Sequence, residues 1–96
     1  MANSNSTESL INKLLEATVK EQASDLHLST NHPPVLRLAG RLIPLLKYKI
    51  LTREDLESIT KTLLTEGQFQ RLQDEKEIDF SYNFEDKGRF RINIFF

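Results

Sequence analysis

The sequence predicts an α+β fold, in which an antiparallel sheet carries helices packed on one side. Two patterns predict it. Segments near the start and middle of the chain repeat apolar residues every three or four positions, as amphipathic helices do. Segments at 25–46 and 77–96 alternate apolar and polar residues, as half-buried strands do. The resulting order of one helix, three strands, two helices and two strands is typical of an α+β layer arrangement.

The first predicted helix runs from Thr7 to Glu21 and follows a short flexible arm over residues 1–6. Its apolar side chains recur at helical spacing and share one face, which we expect to pack into the core. The residues on that face are Leu10, Ile11, Leu14, Leu15 and Thr18. We therefore assign residues 7–96 to one domain.

Three short strands are predicted next. Asp25–Ser29 and Val35–Ala39 alternate in polarity, and a turn that contains two prolines joins them. The third strand, 41–46, contains Pro44, which cannot donate a ladder hydrogen bond and so predicts an edge position. The alternation points leucines inward in the first two strands. It points Asp25, His27 and Arg37 outward.

Two further helices are predicted from their capping signals. Thr52 is followed three positions later by Asp55, and Thr65 is followed at the same spacing by Gln68. In this pattern the threonine hydroxyl accepts from the backbone of the first turn, while the acid or amide reaches back to the cap. The second of these helices should end near Lys76.

The last two predicted strands, 77–84 and 89–96, alternate again. The chain closes on Ile94, Phe95 and Phe96, which would expose a large apolar surface unless something covers them. Since chain ends are usually polar and frayed, we expect the sequence to be a piece of a longer protein. We also expect an exposed terminal strand to favour self-association, because unpaired strand edges invite partners.

Composition limits the function classes. The 96 residues fit one domain, and the net charge of −1 argues against a dedicated nucleic-acid or membrane binder. No cysteine is present, so there is neither a disulfide framework nor a thiolate site. The polar start lacks the apolar core of a signal peptide, so the cytoplasm is the expected compartment.

No catalytic motif is visible. The three glycines, Gly40, Gly67 and Gly88, cannot form a phosphate-binding loop of the G-x-x-x-x-G-K-[ST] type. The two histidines, His27 and His32, are too few for a metal site, which needs at least three convergent ligands. We therefore expect no enzyme activity and no metal site in this chain.

Arg89 and Arg91 stand two residues apart on the last strand and project from the same face. Adjacent guanidinium groups repel each other unless an anion lies nearby. One interpretation is that Glu77, Asp79 or Asp86 supplies the negative charge. The other is that the two arginines face a phosphate, which a guanidinium binds through its planar fork of donors.

Four motifs in order resemble one known family. They are SDLHL, HPP followed by LR, DFSY and GRFRIN. Together they resemble the N-terminal domain of the type IV pilus retraction ATPases of the PilT type, within the secretion ATPase superfamily. The resemblance covers the chain from about Thr7 to Phe96.

The resemblance implies a PAS-like domain that precedes a RecA-like ATPase domain, which is absent from this chain and would bind ATP and Mg. It implies a cytoplasmic homo-hexamer at the inner-membrane platform protein of the pilus base, where ATP hydrolysis drives twitching motility. It further implies that Arg89 and Arg91 contact the nucleotide of a neighbouring ATPase domain. The outward residues Asp25, His27 and Arg37 would then lie at a domain or subunit interface.

Two alternatives remain open. A pilus-assembly or type II secretion ATPase is the nearest competitor, although those proteins usually carry additional N-terminal domains. A stand-alone PAS-like sensor or dimerisation module would belong to a different class, and it would require an internal apolar pocket.

Overall fold

The computed structural model describes the backbone of residues 2–96 and the side chains of residues 8–96. Three helices and five strands form one α+β unit, so the predicted fold class is confirmed. The elements are α1 (Ala2–Lys20), β1 (Asp25–Ser29), β2 (Val35–Leu38), β3 (Arg41–Pro44), α2 (Arg53–Leu63), α3 (Glu66–Glu75), β4 (Glu77–Phe84) and β5 (Gly88–Phe95).

The sheet is mixed rather than wholly antiparallel. Its strand order is β3-β2-β1-β5-β4, and all neighbours are antiparallel except β1 and β5, which run parallel. The antiparallel arrangement expected from the sequence is therefore wrong for this one pair. The two helices between β3 and β4 carry the chain across the sheet, and this crossover allows β5 to align with β1 in the same direction. The PAS-like resemblance stays a prediction.

The hydrophobic core lies between one face of the sheet and the three helices. Inward side chains of the strands contact apolar residues of all three helices in a single cluster. Each helix contributes at least one fully buried leucine, namely Leu14 in α1, Leu56 in α2 and Leu72 in α3. Thr18 is also buried, and its hydroxyl donates to the Leu14 carbonyl oxygen at 2.7 Å, so this polar group is satisfied within α1.

Both predicted helix caps are present. The Thr52 hydroxyl accepts from the Asp55 backbone at 3.0 Å, and the Asp55 carboxylate accepts from the Thr52 backbone at 2.9 Å. Thr65 and Gln68 make the same reciprocal pair at the start of α3. These bonds satisfy donors that a helix start otherwise leaves without partners. Their local sequence signal was therefore sufficient to place two helix starts.

The terminal strand is not an exposed edge, so that expectation is wrong. β5 is hydrogen-bonded on both sides, to β1 and to β4, and the edges of the sheet are β3 and β4. Ile94 is fully buried. The Arg53 guanidinium lies 3.9 Å from the ring centroid of Phe96, and the Phe96 backbone donates to the Lys76 carbonyl at 2.9 Å. Arg53 of α2 thus covers part of Phe96, while Phe95 is exposed.

Helix α1 begins at Ala2, ahead of the start predicted at Thr7. The expected flexibility of residues 1–6 and the domain limits of 7–96 stay predictions, because the side chains of residues 1–7 lie outside the described part of the chain. Of the helices that are described, none combines the length and the apolar character needed to cross a membrane.

Candidate functional site

The face of the sheet opposite the helices is open and polar. The strand registers arrange its side chains in rows that cross the sheet. One row consists of Leu42, Arg37, Asp25, Arg91 and Ser81, and the next consists of Pro44, Val35, His27, Asn93 and Asp79. Four of the five predicted site residues therefore stand in two adjacent rows. The fifth, Arg89, lies farther along β5, opposite Asn83.

Asp25 is the centre of a hydrogen-bond network on this face. Its Oδ1 accepts from the Ser24 hydroxyl at 2.7 Å, and its Oδ2 accepts from Asn93 Nδ2 at 3.1 Å. Arg37 Nε lies 4.0 Å from Oδ1. Burial alone would raise the pKa of Asp25, but the hydrogen bonds from Ser24 and Asn93, together with the charges of His27 and Arg91, hold the pKa below its ordinary value. A fixed negative charge thus lies between β2 and β5.

Arg91 forms an ion pair with Asp79 on the neighbouring strand β4. This is the compensation by a nearby carboxylate that one interpretation of the sequence expected, and Asp79 supplies it rather than Glu77 or Asp86. Arg89 is exposed, and it makes no ion pair with any residue whose side chain the structure describes. The two arginines are therefore not equivalent, and among the described residues only Arg91 has its charge balanced.

His27 lies in the middle of the open face and is half-buried. Its Nε2 atom is shielded from solvent and has no hydrogen-bond partner among the described residues. Burial lowers the pKa of His27, the nearby charge of Asp25 opposes that shift, and the charge of Arg37 adds to it. The lowered pKa favours the neutral imidazole, and its Nε2 atom lacks, among the described residues, the hydrogen-bond partner that buried polar atoms normally have.

Arg37 is held at the open face by its own turn. Its Nη1 donates to the Gly40 carbonyl oxygen at 3.2 Å. Gly40 has a φ of +80°, a conformation that glycine adopts without steric cost, and it forms part of the tight turn before β3. The turn therefore sets where the guanidinium lies beside Asp25.

Two residues that matter to this face were not predicted as site residues. Ser24 lies just before β1, and Asn93 lies on β5 beside His27 in the strand register. Asn93 showed a weak signal, because it is a polar residue on the outward side of an alternating strand. Its bond to Asp25 joins residues 68 positions apart, which no local pattern indicates.

An acidic cleft of about 280 Å³ borders the open face on the β4 side. It is lined by Arg71, Glu75, Glu77, Ile78, Asp79, Asn93 and Phe95. The carboxylates of Glu75, Glu77 and Asp79 in this lining are exposed. Within the described residues, no group of three or more histidines, cysteines and acids could hold a metal ion.

Two curated relatives match most of the chain. The type IV pilus retractation ATPase PilT of Pseudomonas aeruginosa is 32% identical over 89 residues, which are 88% of this chain and 24% of that protein. The type IV pilus ATPase PilU of the same organism is 27% identical over 84 residues, which are 88% of this chain and 22% of that protein. No model of a known protein family matches the sequence.

Two solved structures share the fold. The crystal structure of the pilus retraction motor PilT with bound ADP superposes with a TM-score of 0.66 at 31% identity, over 86% of this chain and 24% of that one. The Legionella pneumophila ATPase DotB superposes with a TM-score of 0.66 at 24% identity, over 88% of this chain and 23% of that one. At that identity, the match to DotB indicates the fold alone.

The chain spans about a quarter of the length of the relatives it matches. The matched part is their N-terminal region, and the sequence and fold comparisons agree on it. The predicted resemblance is therefore confirmed: this chain is homologous to the N-terminal region of the pilus ATPase PilT.

Proposed function

We propose that this chain is the non-hydrolysing N-terminal domain of a pilus retraction ATPase, and that its open face packs against a nucleotide-binding domain. The observation that carries this is the open face itself. It presents Arg37, Asp25 and Arg91 in one row without any helix to cover them. Charged groups held in fixed register suit an interface that needs orientation and specificity.

The half-buried His27 supports the same assignment. Its shielded Nε2 atom lacks a partner within the described chain, and buried polar atoms normally have one. A donor or acceptor from a docked domain would supply it. In this proposal Asp25, His27 and Arg37 contact the partner domain directly, and Asn93 holds Asp25 in place.

Arg89 and Arg91 are the candidates for contact with a nucleotide phosphate that another subunit holds. Arg89 is exposed without an ion pair in the described chain, and Arg91 is paired with Asp79 on the surface. An exposed ion pair contributes little free energy, about 0–1 kcal/mol, so a phosphate could replace Asp79. The bidentate fork of arginine fits phosphate oxygens.

The whole protein would then be a homo-hexamer that binds ATP and Mg in its second domain and works in the cytoplasm at the platform protein of the pilus base. We favour retraction over assembly or secretion, because the chain is similar in sequence to one protein named as a pilus retraction ATPase and to another named as a pilus ATPase. The match to DotB shows only that the fold is shared more widely.

The first test is the coding sequence beyond Phe96. We expect it to encode a G-x-x-x-x-G-K-[ST] motif after a strand and before a helix. A reading frame without a nucleotide-binding module would refute the proposal.

The second test is ATP turnover of the full-length protein. Replacing Arg89 or Arg91 by Ala should lower turnover about tenfold or more, as removal of a charge-stabilising group does. Unfolding in urea should change little. The matched control is Arg71→Ala, an exposed arginine on α3. If Arg89→Ala and Arg91→Ala both leave turnover at the level of Arg71→Ala, the arginines have no role at the nucleotide.

A further inference from the structure

Exposed aliphatic side chains cluster at the β3 end of the sheet. In the part of the chain whose side chains are described, four of the five large apolar residues that are exposed lie between positions 42 and 50. Leu46 is 80% exposed, Ile50 is 60% exposed and Leu42 is 54% exposed. A cluster of this kind at the surface of a small domain marks an interaction site.

The loop that carries Leu46 and Ile50 is fixed at both ends. The Leu45 backbone donates to the Pro34 carbonyl at 2.8 Å, and the Leu51 backbone donates to the His32 carbonyl at 3.0 Å. Leu51 itself is fully buried. The loop therefore buries Leu51 in the core and holds Leu46 and Ile50 outward on a fixed backbone.

The same region is strongly cationic, although the chain as a whole has a net charge of −1. Residues 26–53 contain five lysines and arginines and no acidic residue. The remainder of the chain carries all 14 acidic residues and eight of the 13 basic ones. Arg41, Lys47 and Lys49 are exposed beside the aliphatic cluster. Of these, Lys49 forms an ion pair with Asp55, with Nζ 3.0 Å from Oδ2. Arg41 and Lys47 make no ion pair with described residues.

We propose that this β3 edge surface, formed by Leu42, Leu46, Ile50, Arg41, Lys47 and Lys49, binds directly to an anionic lipid bilayer. Aliphatic side chains enter the boundary between headgroups and acyl chains, while lysines reach the negatively charged headgroups. The two kinds of side chain follow one another along the loop and are all exposed, so both are available at this end of the sheet.

A lipid surface explains the composition better than a protein partner does. The centres of protein interfaces are enriched in aromatic residues and arginine and depleted of lysine. The exposed part of this loop has the opposite composition, with Leu46 and Ile50 beside Lys47 and Lys49. Lysine stems also pack along apolar surface while their ammonium groups remain in water, which suits the edge of a membrane. We therefore expect modest, salt-sensitive binding.

Co-sedimentation of the 96-residue chain with lipid vesicles tests the proposal. The probes are vesicles of phosphatidylcholine alone and vesicles that contain phosphatidylglycerol as well. The wild-type chain should sediment with the anionic vesicles and not with the neutral ones, and added salt should release it. Lys47→Gln should weaken binding about fivefold, the effect expected for one cation near such a surface. Leu46→Ser combined with Ile50→Ser should weaken it at least as much.

The matched control is Lys13→Gln, which makes the same change of charge on an exposed position of α1. If Lys47→Gln and Lys13→Gln weaken vesicle binding equally, binding depends only on the total charge of the chain, and the proposal is overturned. Equal sedimentation with neutral and anionic vesicles would overturn it as well. Analytical ultracentrifugation without lipid tests whether this surface contacts a second copy of the chain. If the double serine variant abolishes self-association while vesicle binding is absent, the surface contacts a second copy instead.

Discussion

Asn93 donates a hydrogen bond from Nδ2 to Oδ2 of Asp25 across 3.1 Å, although 68 positions separate the two residues in the chain. The bond joins β1 to β5, the only parallel pair of strands in the described sheet. It is partly buried, and it orients the carboxylate that lies at the centre of the open face. The candidate interface therefore depends on a contact between the beginning and the end of the domain.

Replacing Asn93 by Ala should raise the pKa of Asp25, because the substitution removes one of the hydrogen bonds that hold the pKa down. It should also lower the free energy of unfolding by about 1.5–3 kcal/mol, the usual contribution of a hydrogen bond to a charged group. NMR titration of the Asp25 carboxyl carbon and unfolding in urea measure the two effects.

Asn83→Ala is the matched control for that change, since Asn83 is an exposed asparagine on β4. It should leave the pKa of Asp25 unaltered and change stability by less than about 0.5 kcal/mol. An Asn93→Ala protein with an unshifted Asp25 would show that the hydrogen bond does not hold the carboxylate.

Stability should fall as the pH drops below about 6.5, the pKa of histidine in an unfolded chain. Burial lowers the pKa of His27 in the folded state, so the unfolded state takes up this proton at a higher pH than the folded state does. The free energy of unfolding that depends on neutral His27 is therefore fully present above about pH 6.5. It is lost as the pH falls through the lower, folded pKa. Asp25 acts in the same direction at more acidic pH, because its folded pKa is also lowered.

His27→Gln should accordingly make the free energy of unfolding less dependent on pH between about pH 7.5 and about pH 5. Urea unfolding at several pH values measures the slope. His32→Gln is the control, because His32 is exposed in the turn after β1. If His27→Gln keeps the wild-type dependence of the free energy of unfolding on pH, burial of this imidazole does not contribute to that dependence.

Thr52→Ala should lower the free energy of unfolding by about 1 kcal/mol, because it removes one half of the capping box that begins α2. Ser58→Ala, at an exposed position within the same helix, should be neutral or slightly stabilising, since alanine is the better helix former. Thermal or urea unfolding compares the two. Equal stability of both variants would mean that the cap contributes nothing measurable.

Local features of the fold were predictable from the sequence. The strand limits of Asp25–Ser29 and Glu77–Phe84 agree with the alternation, and the starts of α2 and α3 agree with their capping residues. Each of these depends on residues within a few positions of one another. The parallel pairing of β1 with β5 depends on the path of the chain between distant residues, and no short pattern encodes it.

The outward placement of several candidate site residues was predictable from the sequence, but the contacts between them and the contribution of Ser24 and Asn93 were not. Alternation placed Asp25, His27 and Arg37 on one face, and the registers put them in adjacent rows. The same alternation could not show that Arg91 pairs with Asp79 while Arg89 makes no pair with described residues. Net charge was also a poor guide, since −1 conceals a basic stretch without acids over residues 26–53 and an acidic remainder.

Docking through the open face is tested most directly by NMR. Isotope-labelled 96-residue chain would be titrated with the unlabelled nucleotide-binding portion of the same polypeptide. We expect the amide signals of the outward rows to shift, with Asp25, His27 and Arg91 among them, and the signals of the exposed positions on α1 to stay unchanged. Shifts confined to the helical side, or no shifts when both portions are folded, would contradict it.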